Sequence, residues 1–421
     1  MKKVLILGYG VTGKATHNFL KGKYELYVID EKKIKDKDVK QIDYDYLIKN
    51  LPLFDFTVRS PGFDIHNKEF EIIRILSKEV ISEIELAYRF LKQKKSKIIA
   101  VTGSNGKTTV ATLIYELIKI ENKKVHLLGN IGTPLISKIN EIKPNSYVVL
   151  ELSNFQLEDI RNFDFTLGII TNLSPNHLDH VPSLAYYLAS KKRLLLNIDN
   201  QIVLTDNDKY FEDYKSNIIN IKKNCILKQK QQALYYLDNL IVKKKDLKNQ
   251  TGYILEDITY ALLTMIILFG FKEKYIEVIK NFVGVKYRQE EIRVNDVVFV
   301  NDGKSTTIES LINAIDNYKK FERIIIMGGV YKSSGATRIK FKNDDLILLY
   351  GKDAKILRTL LKRGLEFDTL NDILNYLKKE DLRNKVVIYS PACSSFDQYH
   401  NYIERSKEFE RYIKENYYVS K

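Results

Sequence analysis

The segment Ile98-Ile99-Ala100-Val101-Thr102-Gly103-Ser104-Asn105-Gly106-Lys107-Thr108-Thr109 constrains this chain more than any other stretch. A short apolar run, the right length for one buried strand, breaks into a turn of small residues. Gly-Lys-Thr-Thr then opens an amphipathic helical pattern over residues 110–119. A parallel α/β layer is the architecture that puts a buried strand, a tight turn and a helix in this order. Glycines leave backbone N–H groups free to wrap an anion, and the helix N-terminus adds its positive end. Lys107 is placed to reach the β- and γ-phosphates of a nucleotide, and Thr108 to hold Mg²⁺. The full phosphate-loop spacing asks for Gly where this chain has Val101, so the match is to the shortened form T-G-x-N-G-K-T-T. The expected nucleotide-binding set is Gly103, Ser104, Asn105, Gly106, Lys107, Thr108 and Thr109.

The same alternation of strand and helix begins at the N-terminus. Residues 4–7, 26–29 and 56–58 read as buried strands and residues 12–20 and 70–76 as helices, again a parallel sheet. Gly8, Gly10 and Gly13 have G-x-G-x-x-G spacing after the first strand, with Asp30 closing the second. That pattern serves a dinucleotide or any nucleotide carrying a diphosphate, such as a UDP-sugar. Ser60-Pro61-Gly62 follows the third strand and faces the same crevice. The polar tract Lys92-Gln93-Lys94-Lys95-Ser96-Lys97 reads as a linker. Further strands are expected at 98–101, 147–150, 168–171 and 201–205, and a core helix at 257–269. The Lys- and Asn-rich tract 217–250 suggests short edge strands and loops. After a junction near 283–288, strands at 297–300, 323–327, 346–350 and 385–389 form a last α/β unit. The fold class is α/β, with three consecutive domains: a Rossmann-like one at 1–93, a P-loop ATPase-like one at 94–286 and a Rossmann-like one at 287–421.

Composition narrows the function classes. The balance of 68 basic and 53 acidic side chains gives a net charge of +15. Lys and Glu are interleaved along the chain, as on solvated faces, and no aromatic–basic RNA-binding motif appears despite 28 tyrosines. An anionic small substrate suits the charge better than nucleic acid. The two cysteines, Cys225 and Cys393, form neither a CxxC pair nor a zinc spacing, which points to a reducing compartment. Met1-Lys2-Lys3 and the apolar residues after it are too short for a signal peptide and read as a first strand. The longest apolar stretch, near 260–271, suits a buried helix and not a membrane span. A cytoplasmic protein is expected.

A second constellation lies beyond the phosphate loop. Glu151 ends the strand at 147–150, where a carboxylate beside a phosphate loop can serve as a Mg²⁺ ligand. The strand at 168–171 delivers Asn172-Leu173-Ser174-Pro175-Asn176-His177-Leu178-Asp179-His180 to the same edge. His177, with Asn172 and Asp179 nearby, reads as functional. Tyr187-Leu188-Ala189-Ser190-Lys191-Lys192-Arg193 is, by itself, a basic helix face.

The order of these motifs resembles the Mur ligase family. The resemblance runs from the T-G-x-N-G-K-T-T loop through Gly129-Asn130-Ile131-Gly132-Thr133-Pro134, Glu151-Leu152-Ser153-Asn154-Phe155-Gln156-Leu157-Glu158 and the His177-Leu178-Asp179 stretch to Ala189-Ser190-Lys191. Asn301-Asp302-Gly303-Lys304-Ser305-Thr306 and Ser390-Pro391-Ala392-Cys393-Ser394-Ser395-Phe396-Asp397-Gln398-Tyr399 resemble the branch that adds D-glutamate. The resemblance implies ATP-dependent amide-bond formation in peptidoglycan precursor synthesis, with UDP-N-acetylmuramoyl-L-alanine, D-glutamate and ATP as substrates and two Mg²⁺ ions. Another Mur-type or a folylpolyglutamate-type ligase is the alternative. It further implies catalytic roles for Lys107, His177, Lys191 and Lys304. Metal ligands would be Thr108, Glu151, His177 and Lys191, the last as a carbamate. Gly8, Gly10, Thr12, Gly13, Asp30, Ser60, Pro61 and Gly62 would meet the uridine diphosphate end, and Asn130, Ser153 and Gln156 the sugar and peptide. Arg288 and Asp302 would meet ATP. Lys304, Thr306, Lys332, Ser395, Phe396 and Tyr402 would surround D-glutamate. A monomer is favoured. The chain departs from the family pattern at Glu256, Asp257 and Tyr260, at Tyr287 and at Asn176, the first four near the expected adenine contacts.

Overall fold

The computed structural model describes residues 1–63, 65, 68–173, 184–197, 201–211, 214, 217–223, 225–250, 253–331 and 335–417. The chain forms two compact units. One comprises residues 1–244 and 255–279, the other residues 245–254 and 280–421.

The first unit opens with β1 (Lys3–Leu7), α1 (Val11–Leu20), β2 (Glu25–Ile29), α2 (Tyr44–Asn50), β3 (Phe56–Arg59), α3 (Lys68–Leu76), β4 (Val80–Ser82) and α4 (Glu83–Leu91). Its four strands are parallel in the order β2-β1-β3-β4. Strand order reverses between β1 and β3, so the crevice at their carboxyl ends is where such a sheet accepts a ligand. Ser82 stops β4 and starts α4 by accepting the Glu85 N–H on its hydroxyl at 3.2 Å.

A second parallel sheet follows, built from β5 (Lys97–Thr102), α5 (Lys107–Lys119), β6 (Val125–Gly129), β7 (Tyr147–Glu151), α6 (Asn154–Leu157), β8 (Leu167–Ile170), α7 (Leu184–Lys192), β9 (Ile202–Thr205) and β10 (Ile218–Asn220). Its order is β10-β9-β8-β5-β7-β6. Residues 98–101 of β5 are buried on both faces, as the unbroken apolar run requires of a central strand. One apolar cluster includes Val4, Leu20 and Val58 of the first sheet's layer, Ile84 and Leu91 of α4, and Leu135, Leu150 and Leu157 of the second layer. The polar tract at 92–97 therefore lies between sheets that share a core.

The tract 217–250 contains an antiparallel sheet of β11 (Leu227–Lys230), β12 (Ala233–Tyr236) and β13 (Asn239–Lys243). The apolar stretch near 260 lies in α8 (Ile254–Phe269), with Tyr260, Ala261, Leu262 and Met265 buried, and α9 (Lys274–Asn281) follows. No helix among the described residues is long and apolar enough to cross a membrane.

The second unit carries β14 (Glu290–Val294), β15 (Val297–Asn301), α10 (Ile308–Asp316), β16 (Glu322–Gly328), β17 (Leu346–Tyr350), α11 (Ala354–Leu361), β18 (Leu365–Phe367), α12 (Leu370–Leu377), β19 (Lys385–Tyr389) and α13 (Tyr402–Tyr417). The sheet order is β14-β15-β19-β16-β17-β18, parallel except for the β14–β15 pair. Separate apolar clusters cover its two faces, one under α10 and α11 and one under α12 and α13.

Candidate active site

β5 ends between β7 and β8, and register pairs Val101 with Glu151 and Thr102 with Ile170. Both neighbours therefore deliver their last residues to the mouth of the turn at 103–106. Gly103 has φ +140°, and a Cβ there would overlap Thr171 Oγ1 and lie 2.9 Å from Thr171 N. Asn172 fastens the loop: its carbonyl accepts the Ser104 N–H at 2.9 Å and its Oδ1 the Asn105 N–H at 2.9 Å. Lys107, the first residue of α5, folds its ammonium back to donate to the carbonyls of Gly103 at 2.9 Å and Ser104 at 2.8 Å.

Behind the loop, Glu151 is fully buried. Its Oε2 accepts the Thr108 hydroxyl at 2.7 Å and its Oε1 the Asn130 amide at 2.8 Å. A hydroxyl and a carboxylate at this spacing are hard oxygen donors of the kind that Mg²⁺ takes. Lys191 reaches the same place from α7. It is 2% exposed, donates to the Gly103 carbonyl at 2.9 Å and lies 4.7 Å from the Tyr187 ring centroid. Tyr187 in turn shares a 2.7 Å hydrogen bond with Ser104 Oγ. Burial, reinforced by the Lys107 charge, holds the Lys191 amine well below the usual lysine range. His177 lies outside the described residues, as do Asn176 and Asp179. Among the described residues no group of three or more His, Cys, Asp or Glu could hold a metal ion.

In the first sheet's crevice, α1 packs directly on the glycine turn: a Cβ on Gly13 would overlap the Gly8 carbonyl. Ser60 Oγ donates to that carbonyl at 3.2 Å, joining the turns after β1 and β3. Asp30 accepts the Tyr9 N–H at 2.6 Å and the Lys32 N–H at 2.8 Å. Thr12 and Pro61 are half-buried; Gly10 and Gly62 are exposed. Ser153 and Gln156 form a reciprocal cap at the start of α6: Gln156 N donates to Ser153 Oγ at 3.2 Å and Ser153 N to Gln156 Oε1 at 3.0 Å.

In the second unit, Asp302 follows β15 and is 6% exposed. It accepts the Ser390 hydroxyl at 2.8 Å and the Gln289 N–H at 3.2 Å. Burial outweighs these bonds and the nearby charges of Arg288 and Arg405, pushing its carboxyl up to about 7. Lys304 Nζ stands 4.2 Å from the Tyr402 ring centroid. Ser395 is buried, whereas Thr306 and Phe396 are exposed. Lys332 lies outside the described residues. Arg405, fully buried in α13, donates to the carbonyls of Gly303 at 3.1 Å and Ser305 at 3.0 Å, bracing the 302–306 loop from behind.

The departures from the family pattern are accommodated locally. Glu256 pairs with Lys222 at 2.9 Å. Asp257 stands against the phosphate loop, its Oδ1 at 2.5 Å from where a Gly106 Cβ would be. Burial, with the Glu256 charge, holds the Asp257 carboxyl well above the usual range. Tyr260 donates its hydroxyl to the Thr171 carbonyl at 2.5 Å. Tyr287 adopts φ 64°, with its N–H on Glu290 at 3.1 Å and its hydroxyl on Glu410 at 3.3 Å. Sequence reasoning singled out neither Tyr187 nor Ser390. Tyr187 stands one helical turn before Lys191, a spacing that marks it as a neighbour; Ser390 carries no such signal.

A family model described as Mur ligase middle domain matches residues 101–275. The UDP-N-acetylmuramoylalanine–D-glutamate ligase of Caldicellulosiruptor saccharolyticus is 31% identical, covering 98% of this chain and 99% of its own. The enzyme of the same name from Francisella philomiragia is 29% identical over 99% of this chain and 97% of its own. Among solved structures, the MurF ligase of Thermotoga maritima in complex with ADP matches with a TM-score of 0.62 at 18% identity, covering 87% of this chain and 96% of its own. The UDP-N-acetylmuramate-alanine ligase MurC of that organism matches with a TM-score of 0.60 at 17% identity, over 99% and 100%. These two structures share the α/β fold of this chain.

Proposed function

The chain belongs to the Mur ligase family, and on that premise we propose that it joins D-glutamate to UDP-N-acetylmuramoyl-L-alanine, using ATP, in peptidoglycan precursor synthesis. Similarity over nearly the full length to ligases with that name supports the reaction. The observation that carries the site assignment is the convergence of Lys107, Thr108, Glu151 and Lys191 on one turn.

In this reading the muramoyl-alanine carboxylate attacks the γ-phosphate of ATP and ADP leaves. The amine of D-glutamate then adds to the acyl phosphate, loses a proton, and inorganic phosphate departs as the amide forms. Two anions must approach, so the protein's task is to neutralise and align them. The backbone amides of residues 103–108 and the α5 N-terminus would cradle the phosphates. Lys107, released from the two loop carbonyls, would follow the β- and γ-phosphates. Thr108, Glu151, His177 and Lys191 would hold Mg²⁺, which when bound supplies charge neutralisation of the phosphates. Burial and the Lys107 charge lower the Lys191 amine and so favour its neutral form, the form that adds to CO₂, which supports a carbamate there. Gly8, Thr12, Asp30 and Ser60 would take the uridine diphosphate end. Asp302 and Arg288 would contact ATP, and Lys304, Thr306, Lys332, Ser395, Phe396 and Tyr402 would bind D-glutamate. We assign the uridine diphosphate end to residues 1–93, the ATP phosphates and Mg²⁺ to 94–286, and D-glutamate, with the Arg288 and Asp302 contacts to ATP, to 287–421, in a cytoplasmic, monomeric enzyme that needs no nucleic acid.

Purified protein given ATP, Mg²⁺, UDP-N-acetylmuramoyl-L-alanine and D-glutamate should release phosphate only when all four are present. Silence from protein that binds ATP would overturn the reading. Release with L-alanine, L-lysine or a dipeptide in place of D-glutamate would move the chain to another branch of the family.

A further inference from the structure

Arg59, the last residue of β3, is one of a few fully buried cations among the described residues, and its guanidinium is bonded both to the turn after its own strand and to the second sheet's layer. Nη1 donates to the Phe63 carbonyl at 3.2 Å, holding the turn that contains Ser60, Pro61 and Gly62. Nη2 donates to the Phe155 carbonyl at 3.0 Å and to Glu158 at 2.7 Å, both on or next to α6. Nε pairs with Asp159, whose own carbonyl accepts the Ser82 N–H at 3.1 Å. The side chain of Arg59 is 1% exposed and that of Glu158 6%. Glu158 also takes a hydrogen bond from Tyr186 of α7. The next residue, Tyr187, is bonded to Ser104 of the phosphate loop, and Lys191 of the same helix to Gly103.

A continuous set of hydrogen bonds thus runs from the first crevice to the phosphate loop. A buried ion pair is a weak source of stability, because desolvation offsets most of the attraction. What a rigid planar fork does supply is geometry: its N–H groups fix the turn at 60–63 and the segment 155–159 at once, which a lysine ammonium on a flexible stem cannot do.

We propose that Arg59 is a positioning residue that sets the reach between the crevice for the uridine diphosphate end and the loop for the ATP phosphates. The inference rests on the ligase reading above. The substrate's two ends are separately bound, and its carboxylate meets the γ-phosphate only when both crevices hold one fixed relation. Misplacement by about 1 Å costs on the order of a hundredfold in rate.

The test uses the full chain as Arg59→Ala and Arg59→Lys. Binding of UDP alone and of ATP alone, by calorimetry, should stay within about twofold of wild type, because the turn after β3 keeps its Ser60 N–H on the Leu7 carbonyl and its Phe63 N–H on the Ser60 carbonyl without Arg59. The kcat/KM for UDP-N-acetylmuramoyl-L-alanine should fall by about tenfold or more in both variants. Arg59→Lys should recover most of the thermal stability without recovering kcat/KM. If Arg59→Ala does not fold, the charge-matched Arg59→Met with Glu158→Gln is read in the same way. Unchanged kcat/KM in a folded variant overturns the inference, as does a loss of UDP affinity equal to the loss in kcat/KM, which would mean local support of the turn. A wild type silent in the phosphate assay overturns the ligase reading itself, and this inference with it.

Discussion

Replacing Asp302 by Asn removes a buried ionisable group while leaving oxygen and nitrogen in place for Gln289 and Ser390. Burial raises the Asp302 carboxyl from 3.8 to about 7 in the folded chain. At this site the folded state thus binds more protons than the unfolded one across that interval, so the contribution of Asp302 to stability is fully present below the unfolded value and is lost as pH rises through 7. Evaluating the two titrations at about pH 5.5 and about pH 8 gives a loss of about 2 kcal/mol between them. Asp302→Asn has no such group, so its stability should exceed the expected parallel course by that amount at the higher pH. For a domain of roughly 150 residues, about 2 kcal/mol corresponds to roughly 4–8 °C in Tm. Calorimetric scans of both full-length proteins at the two pH values provide the measurement. The difference in Tm between variant and wild type should grow by several degrees from the acidic to the alkaline condition. If the two proteins keep a constant separation, the buried carboxyl does not titrate in this interval and the burial argument fails.

Three further outcomes are expected. Gly103→Ala forces a side chain into Thr171 at a left-handed backbone position, so ATP affinity should drop by at least about tenfold and Tm should fall, read by calorimetry and thermal scanning. In ¹³C-bicarbonate at mildly alkaline pH, wild type should show a carbamate carbon resonance that Lys191→Gln lacks; its absence from wild type under those conditions would remove the proposed metal ligand. Glu121 accepts Lys272 at 2.6 Å and Tyr275 at 2.9 Å. Burial works to raise its carboxyl, but these bonds and that of Lys274 prevail and hold it down to about 2. Its stabilising effect is therefore full above about pH 4.5 and lost as pH falls toward 2. Glu121→Gln should destabilise by about 1–3 kcal/mol at neutral pH in urea titrations, and by less as the medium is acidified toward pH 3.

The strand before the phosphate loop and most strands of the two parallel sheets were legible as short apolar runs, whereas β4 and β6 were not singled out. Lys107, Thr108 and Glu151 could be placed together from strand ends alone. The antiparallel sheet at 227–243 was not resolved from sequence, and its turns explain why. Gln231, Gln232, Leu237 and Asp238 all adopt positive φ, so the two hairpins turn without the glycine that ordinarily marks them. β14 was missed because Glu290 and Arg293 disguise a strand whose place comes from pairing with β15. The Arg59 cluster is invisible along the chain, since its partners other than Phe63 lie about a hundred positions away and two of its bonds go to backbone carbonyls.

The apolar cluster that spans α4 and both sheets of the first unit has a consequence for modularity. Cutting the chain at residue 93 would divide a cluster in which Ile84, Leu86 and Leu91 of α4 are buried together with Leu135, Leu150 and Leu157. Each fragment would expose apolar side chains that the intact chain buries. The crevice at the ends of β1 and β3 and the turn at 103–106 therefore rest on one core, and loosening either layer loosens the support of both.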